Sequence, residues 1–285
     1  MTSPTPTRER EFDFTQADFD SLRSLVKTQS GITLGEAKRE LVYGRVSRRL
    51  RALGFSAFSD YRRMLAGPEG QSEMIEFINA VTTNLTSFFR ESHHFDFLRD
   101  EYLRARVADA KGSRRIRIWC SAASTGEEPY SIAISIAEAI PDWDRWDIKI
   151  LATDLDTNVL ETCRAGEYAE DRVRGMQKAR LERFFDVAGE RSGRRYRIKP
   201  ELASMISFRQ LNLMHPLPMK GPIDIIFCRN VIIYFDKETQ GALFSRMAPL
   251  QRAGDVLILG HSESLLQVSD AWTLMGKTIY RKSPP

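Results

Sequence analysis

The sequence predicts an α/β protein: a doubly wound sheet of about seven strands, preceded by a small all-helical domain and interrupted by a small β-rich insertion. Three observations carry this. Short apolar runs at 116–120, 148–153, 205–212, 223–228 and 256–259 alternate with helical stretches, the rhythm of a parallel sheet. Residues 12–83 show helical spacing only. Residues 166–204 break the α/β rhythm with a charged helical piece at 176–185. Gly189 and Ser192-Gly193 then flank the alternating Arg195, Tyr196, Arg197 and Ile198, a hairpin signal.

Residues 1–11 are polar, hold two prolines and lack an apolar h-region, so they are expected as a flexible tail and not a signal. In the helical domain, Thr15 caps a helix carrying Phe19, Leu22, Leu25 and Val26, with Asp18 at the third helical position. A helix over 36–53 places Val42, Val46, Leu50 and Leu53 on one stripe. Lys38, Arg45 and Arg49 fall on an adjoining face with Arg48 beside them. Its six basic residues, Arg39 and Arg51 included, outnumber Glu36 and Glu40 and suit an acidic partner. Shorter helices at 61–65 and 74–81 flank the Gly67-Pro68-Glu69-Gly70 turn. A linker follows over 84–113: a polar, aromatic and basic loop through Arg90, then a helix at 92–108, ending at Lys111-Gly112-Ser113.

Residues 114–285 form the α/β domain, organised around 115–156. A strand ends at Cys120, and the small residues from Ser121 to Gly126 let a ligand approach the backbone. Glu127, Glu128 and Pro129 open a helix carrying Ile132, Ile136 and Ala139 on one side. A second strand ends at Asp154, where a carboxylate can accept from both hydroxyls of a ribose. The turn is not GxGxxG, and its acids would repel a pyrophosphate. Those features favour a phosphate-free nucleoside bearing positive charge, and S-adenosylmethionine fits. Trp272–Met275 and Thr278–Arg281 predict a closing hairpin.

The totals exclude several classes. At 285 residues, 42% hydrophobic and 28% charged, the chain has ordinary globular composition, and no apolar run approaches the roughly 18 residues of a membrane span. Cys120, Cys163 and Cys228 lie far apart, which fits reduced thiols in the cytoplasm. The adjacent His93 and His94 have no metal-ligand spacing, so no metal is expected. Nothing suggests coiled-coil assembly, and a monomer is expected.

Several stretches in the same order resemble one family. They are Asn84-Leu85-Thr86 with Phe88-Phe89-Arg90, the turn from Ala122 to Ser131, Thr153-Asp154-Leu155-Asp156, Phe227 to Phe235, Gly260-His261-Ser262-Glu263, and the basic run around Lys38 and Arg45. Over nearly its whole length the chain is similar to CheR-type chemotaxis receptor glutamate O-methyltransferases. The resemblance implies transfer of the methyl of S-adenosylmethionine to glutamates on the cytoplasmic helices of methyl-accepting chemotaxis receptors. It implies that Asn84, Thr86, Arg90, Glu128, Asp154, Asn212, Leu213, Arg229 and Asn230 line the cofactor. It implies that Lys38, Arg45, Arg48, Arg49 and Arg51 face the acidic receptor helix. The insertion corresponds to a β-subdomain that in some members grips a peptide at the receptor's C-terminus.

The chemistry agrees with the residues. A glutamate side chain is already ionised at neutral pH, so no strong base is needed. Attack on a sulfonium methyl consumes one negative and one positive charge, which a dry pocket and in-line positioning favour. Arg90 is expected to steady either the incoming carboxylate or the cofactor's own, and Tyr234 either presents its hydroxyl near the methyl or packs. The 229–232 stretch lacks the prolines common in amino-group methyltransferases, which disfavours a nucleic-acid base as acceptor. Two rival classes stand beside this reading: a nucleic-acid methyltransferase and a non-catalytic adaptor that binds the cofactor without turnover.

Overall fold

The computed structural model describes residues 10–109, 112–189 and 193–284. Most of the expected tail (1–9), Lys111 of the separator and Ser192 of the hairpin signal lie outside the described residues. The chain divides into two compact units, Met1–Thr82 and Thr83–Pro285.

The first unit is helical: α1 (Gln16–Ser30), α2 (Arg39–Leu53), α3 (Phe58–Ala66) and α4 (Gln71–Val81). Thr15 and Asp18 form a complete capping box at the start of α1, as the sequence predicts. The 36–53 helix is in fact split, with a single 3-10 turn at Glu36–Lys38 before α2. Val42, Val46 and Leu50 are fully buried, but Leu53, in the last turn, is 44% exposed and outside the stripe.

In the second unit a helical run comprises α5 (His93–Asp96), a π-helical stretch (Phe97–Leu103) and α6 (Arg104–Ala108). Then come β1 (Arg115–Cys120), α7 (Glu127–Ala139), β2 (Asp147–Asp154) and α8 (Thr157–Ala165). The inserted part holds β3 (Glu167–Ala169), α9 (Glu170–Val173), α10 (Lys178–Phe184), β4 (Phe185–Ala188), β5 (Arg195–Ile198) and α11 (Pro200–Ala203). The domain closes with β6 (Ile206–Gln210), β7 (Ile225–Cys228), α12 (Lys237–Met247), β8 (Val256–Leu259), β9 (Trp272–Gly276) and β10 (Ile279–Lys282).

The main sheet has seven strands in the order β6-β2-β1-β7-β8-β10-β9. Strands β6 through β8 are parallel, and β10 and β9 close one edge antiparallel. Strands β7 and β8 are buried at every position, which explains why they read as unbroken apolar runs. Strands β3, β5 and β4 form a separate antiparallel sheet.

Helix α7 is buried all round from Glu127 to Ala137, not only along the Ile132 and Ile136 side. Such a helix must satisfy its own hydroxyls. Ser131 and Ser135 do so by donating to the carbonyls of Glu127 and Ser131, four residues back. The chain leaves β1 toward β2 on one side and reaches β7 on the other, so strand order reverses between β1 and β7. A crevice at the carboxyl ends of these strands follows from that reversal.

Candidate active site at the carboxyl edge of the sheet

Asp154 ends β2, and backbone N–H groups orient both its oxygens. Ser124 N donates to Oδ2 at 2.8 Å and Asp156 N to Oδ1 at 3.0 Å. Burial pushes this carboxyl up to about 6, although those two N–H groups favour its ionised form. Asp156 caps α8, accepting from the N–H groups of Asn158 and Val159. Its other oxygen receives the Asn84 amide at 2.7 Å, while Ser124 Oγ donates to the Asn84 carbonyl at 2.9 Å. The loop carrying Asn84 and Thr86 is thereby fastened beside Asp154.

The turn after β1 is bent by two left-handed residues, Ser124 at φ 49° and Gly126 at φ 101°. Gly126 is required twice over: its φ disfavours a side chain, and an added Cβ would lie 2.6 Å from the Tyr168 hydroxyl. Tyr168 of the insertion donates to the Thr125 carbonyl at 2.9 Å, and Arg172 pairs with the fully buried Glu127. The insertion therefore braces the turn, a role its sequence does not announce.

Glu128 is buried and receives the Arg229 guanidinium at 2.8 Å and the Cys120 thiol at 3.2 Å. Burial raises its pKa, against the pull of Arg229. Contrary to the sequence expectation, the acids of this turn are not free to repel a phosphate, because both Glu127 and Glu128 are paired to arginines.

Arg229 has a fully buried side chain that lies over the Phe95 ring and reaches Glu91 at 3.4 Å. It also donates to the Arg90 carbonyl. Asn230 sits at φ 57°, its N–H donating 2.7 Å to Glu263. The buried Glu263 carboxylate also accepts from the N–H groups of Val231, Ile232, Ile233 and Gly260. It thus holds the loop that leads to Tyr234. Arg90 donates to the Leu85 carbonyl at 2.9 Å and is partly exposed. Leu213 is buried, its carbonyl accepting from Arg246, and Asn212 Oδ1 accepts from Met214 N. Leu211 N donates to the Asp154 carbonyl, which brings 212–213 beside the end of β2. The fold thus gathers Asn84, Arg90, Asn212, Arg229 and Asn230 on loops, Asp154 at the end of β2 and Glu128 in the first turn of α7, all at one edge of the sheet.

Glu91 and Glu263 are the residues that reading for a ligand passed over. Glu263 closes one quoted motif and Glu91 directly follows another, but a carboxylate that bonds the protein's own backbone has no distinct sequence signature. Glu91, His93 and His94 also bring ligand-type atoms within 4.8 Å of one another, a grouping their sequence spacing did not suggest. The Glu91 carboxylate there already faces the Arg229 cation.

In the helical unit, Arg49 is bound to Glu73 at 2.9 Å, and Arg45 donates to the carbonyls of Ala80 and Thr82. Arg51 pairs with Glu11 on the surface. Lys38 and Arg48 are exposed and make no ion pair among the described residues.

A doubly wound sheet with an acid closing its second strand and a braced small-residue turn defines a nucleoside-binding α/β enzyme domain. Comparison with known families is consistent with this from end to end. Residues 84–281 match the model "CheR methyltransferase, SAM binding domain", and residues 17–82 match "CheR methyltransferase, all-alpha domain". The chain belongs to the CheR methyltransferase family and is an S-adenosylmethionine-dependent methyltransferase. It is 42% identical over 280 residues to chemotaxis protein methyltransferase 2 of Pseudomonas aeruginosa, covering 98% of each chain. It is 41% identical over 270 residues to the chemotaxis protein methyltransferase of Escherichia coli, covering 94% of this chain and 91% of that one. Among the described residues no helix is long and apolar enough to cross a membrane.

Proposed function

We propose that this protein methylates glutamate side chains of chemotaxis receptors, giving glutamate methyl esters in the manner of a protein-glutamate O-methyltransferase. The observation that carries the reading is the placement of Asp154 in a chain matched by both family models.

The donor set suits S-adenosylmethionine. Asp154 offers an oriented acceptor for ribose hydroxyls, and the 121–126 turn allows close backbone approach. When bound, the cofactor supplies an electrophilic methyl on a sulfonium. The protein's own residues then have three tasks. Asp154, Asn84, Thr86, Asn212, Leu213 and Asn230 bind and orient. Arg90 steadies a carboxylate, and Tyr234 lies on the loop held by Glu263. The braced walls exclude water, which favours a step that annihilates opposite charges. Because the acceptor is ionised near neutral pH, no residue has to remove a proton.

Lys38, just before α2, and Arg48 on it are exposed cations with no ion pair among the described residues, and they belong to the receptor-facing surface in this reading, with Arg45, Arg49 and Arg51 shaping it. The same reading places the enzyme in the cytoplasm as a monomer, with a receptor C-terminal peptide as a second contact at the inserted sheet. The deciding experiment incubates the protein with methyl-labelled S-adenosylmethionine and receptor cytoplasmic fragments. Label released as methanol by alkali is the expected result; stable label, or none, overturns the reading.

A further inference from the structure

Glu91 joins three separate segments at the edge of the sheet. Its Oε1 receives His261 Nδ1 at 2.9 Å and the Asn230 side-chain amide at 3.3 Å. Its Oε2 receives the His261 backbone N–H at 2.9 Å and lies 3.4 Å from Arg229 Nη2. The partners come from the loop after β7 and the loop after β8, while Glu91 itself follows Arg90 in the loop before α5. Arg229 continues the chain of contacts to Glu128 and to the Arg90 carbonyl. Phe89, Glu91 and Asn230 all have φ between 53° and 57°, a region non-glycine residues seldom occupy. Such backbone persists only where surrounding contacts over-determine it, and it collects at functional sites.

We propose that Glu91 is a positioning residue for methyl transfer: its carboxylate sets the Asn230 amide and, through Arg229, the backbone of Arg90. This rests on the reading of the site given above and extends it to a residue that touches neither reactant. Three facts favour the role over simple surface packing. The carboxylate accepts from side chains and backbone of two other loops at once. His261 N–H and the Arg229 charge hold its pKa down at about 2 despite its burial, so it is ionised at every working pH. The Asn230 amide passes close over Gly260, where an added Cβ would lie 2.4 Å from Asn230 Nδ2, so a residue without a side chain leaves the amide the space to meet Glu91.

The test uses Glu91→Gln, Asn230→Ala and the double variant in the full chain. The first readout is S-adenosylhomocysteine affinity by calorimetry, which needs no acceptor. Glu91→Gln keeps the shape but loses the charge, and is expected to weaken affinity about tenfold to a hundredfold, the range of a charge-assisted hydrogen bond. The double variant is expected to lose less than the product of the two single losses, because both changes remove the Glu91–Asn230 contact while only Glu91→Gln also loosens Arg229. Without any ligand, the Asn230 side-chain amide resonance, assigned by its loss in Asn230→Ala, is expected to shift in Glu91→Gln. Asp236→Ala, which removes the N-cap of α12, serves as a purely structural control that lowers the melting temperature without altering affinity. Losses that multiply independently, or a Glu91→Gln variant that changes only melting temperature, overturn the proposal. If wild-type enzyme methylates no receptor fragment, the function reading fails while the affinity and resonance results still decide the role of Glu91.

Discussion

The carboxyl edge of the sheet and helix α2 both concentrate charge, and they use it in opposite ways. At the sheet edge, the buried Arg229 pairs with the buried Glu128 and with the half-buried Glu91. Their geometry is therefore rigid, and removing any one leaves a charge stranded in a low-dielectric setting. On α2 the positive residues divide. Arg49 and Arg45 are turned inward to Glu73 and to the end of α4, whereas Lys38 and Arg48 remain in solvent. The comparison teaches that buried charge builds a site's shape while exposed charge serves encounter. A basic stripe on a helical wheel does not separate the two.

The contrast is broken most severely by Arg229→Ala. It leaves Glu91 and Glu128 facing each other without their cation, and a loss of about 3–5 kcal/mol in denaturant unfolding is expected. Next comes Asp154→Ala, expected to lower S-adenosylhomocysteine affinity about a hundredfold through two lost hydroxyl acceptors, measurable by calorimetry. The same residue sharpens the comparison through pH. Its folded pKa of about 6 lies above the ordinary 3.8, so its stabilisation of the ligand-free protein is present below about 3.8 and lost as pH rises through about 6. Binding runs the other way, since the carboxylate is the better acceptor. Affinity should fall as pH drops below about 6, and Asp154→Asn should flatten that profile.

On α2, Arg49→Ala is expected to cost about 1–3 kcal/mol of stability, because Glu73 is buried and keeps only the Tyr61 hydroxyl at 2.7 Å. Cofactor affinity should not change. A double Lys38→Ala, Arg48→Ala variant should leave both stability and cofactor affinity in place, and slow receptor methylation several-fold in a salt-dependent manner. The smallest effect belongs to Arg51→Ala: its partner Glu11 is exposed, and unfolding should move by no more than about 0.5 kcal/mol.

The elements were legible because each depends on near neighbours. The Thr15 and Asp18 capping box, the α/β rhythm and the Gly126 turn are local patterns that a chain reveals without its fold. The position of Asp154 at a strand end was legible too, since the strand, turn, helix and strand before it follow a known arrangement. Less visible was where charged side chains turn. Glu128 and Arg229, 101 positions apart, read equally well as cofactor contacts or as partners of each other until the chain between them is folded.

Sequence alone thus determined the order of strands and helices, the family, and which loops follow the carboxyl ends of the strands, because periodicity, caps and turns are short-range. Tertiary structure decided which arginines face solvent, that Glu91 and Glu263 hold the loops, and that Tyr168 and Arg172 brace the turn after β1. Those outcomes rest on contacts between distant segments. An ion pair's worth depends on its burial, and burial is a property of the packed chain.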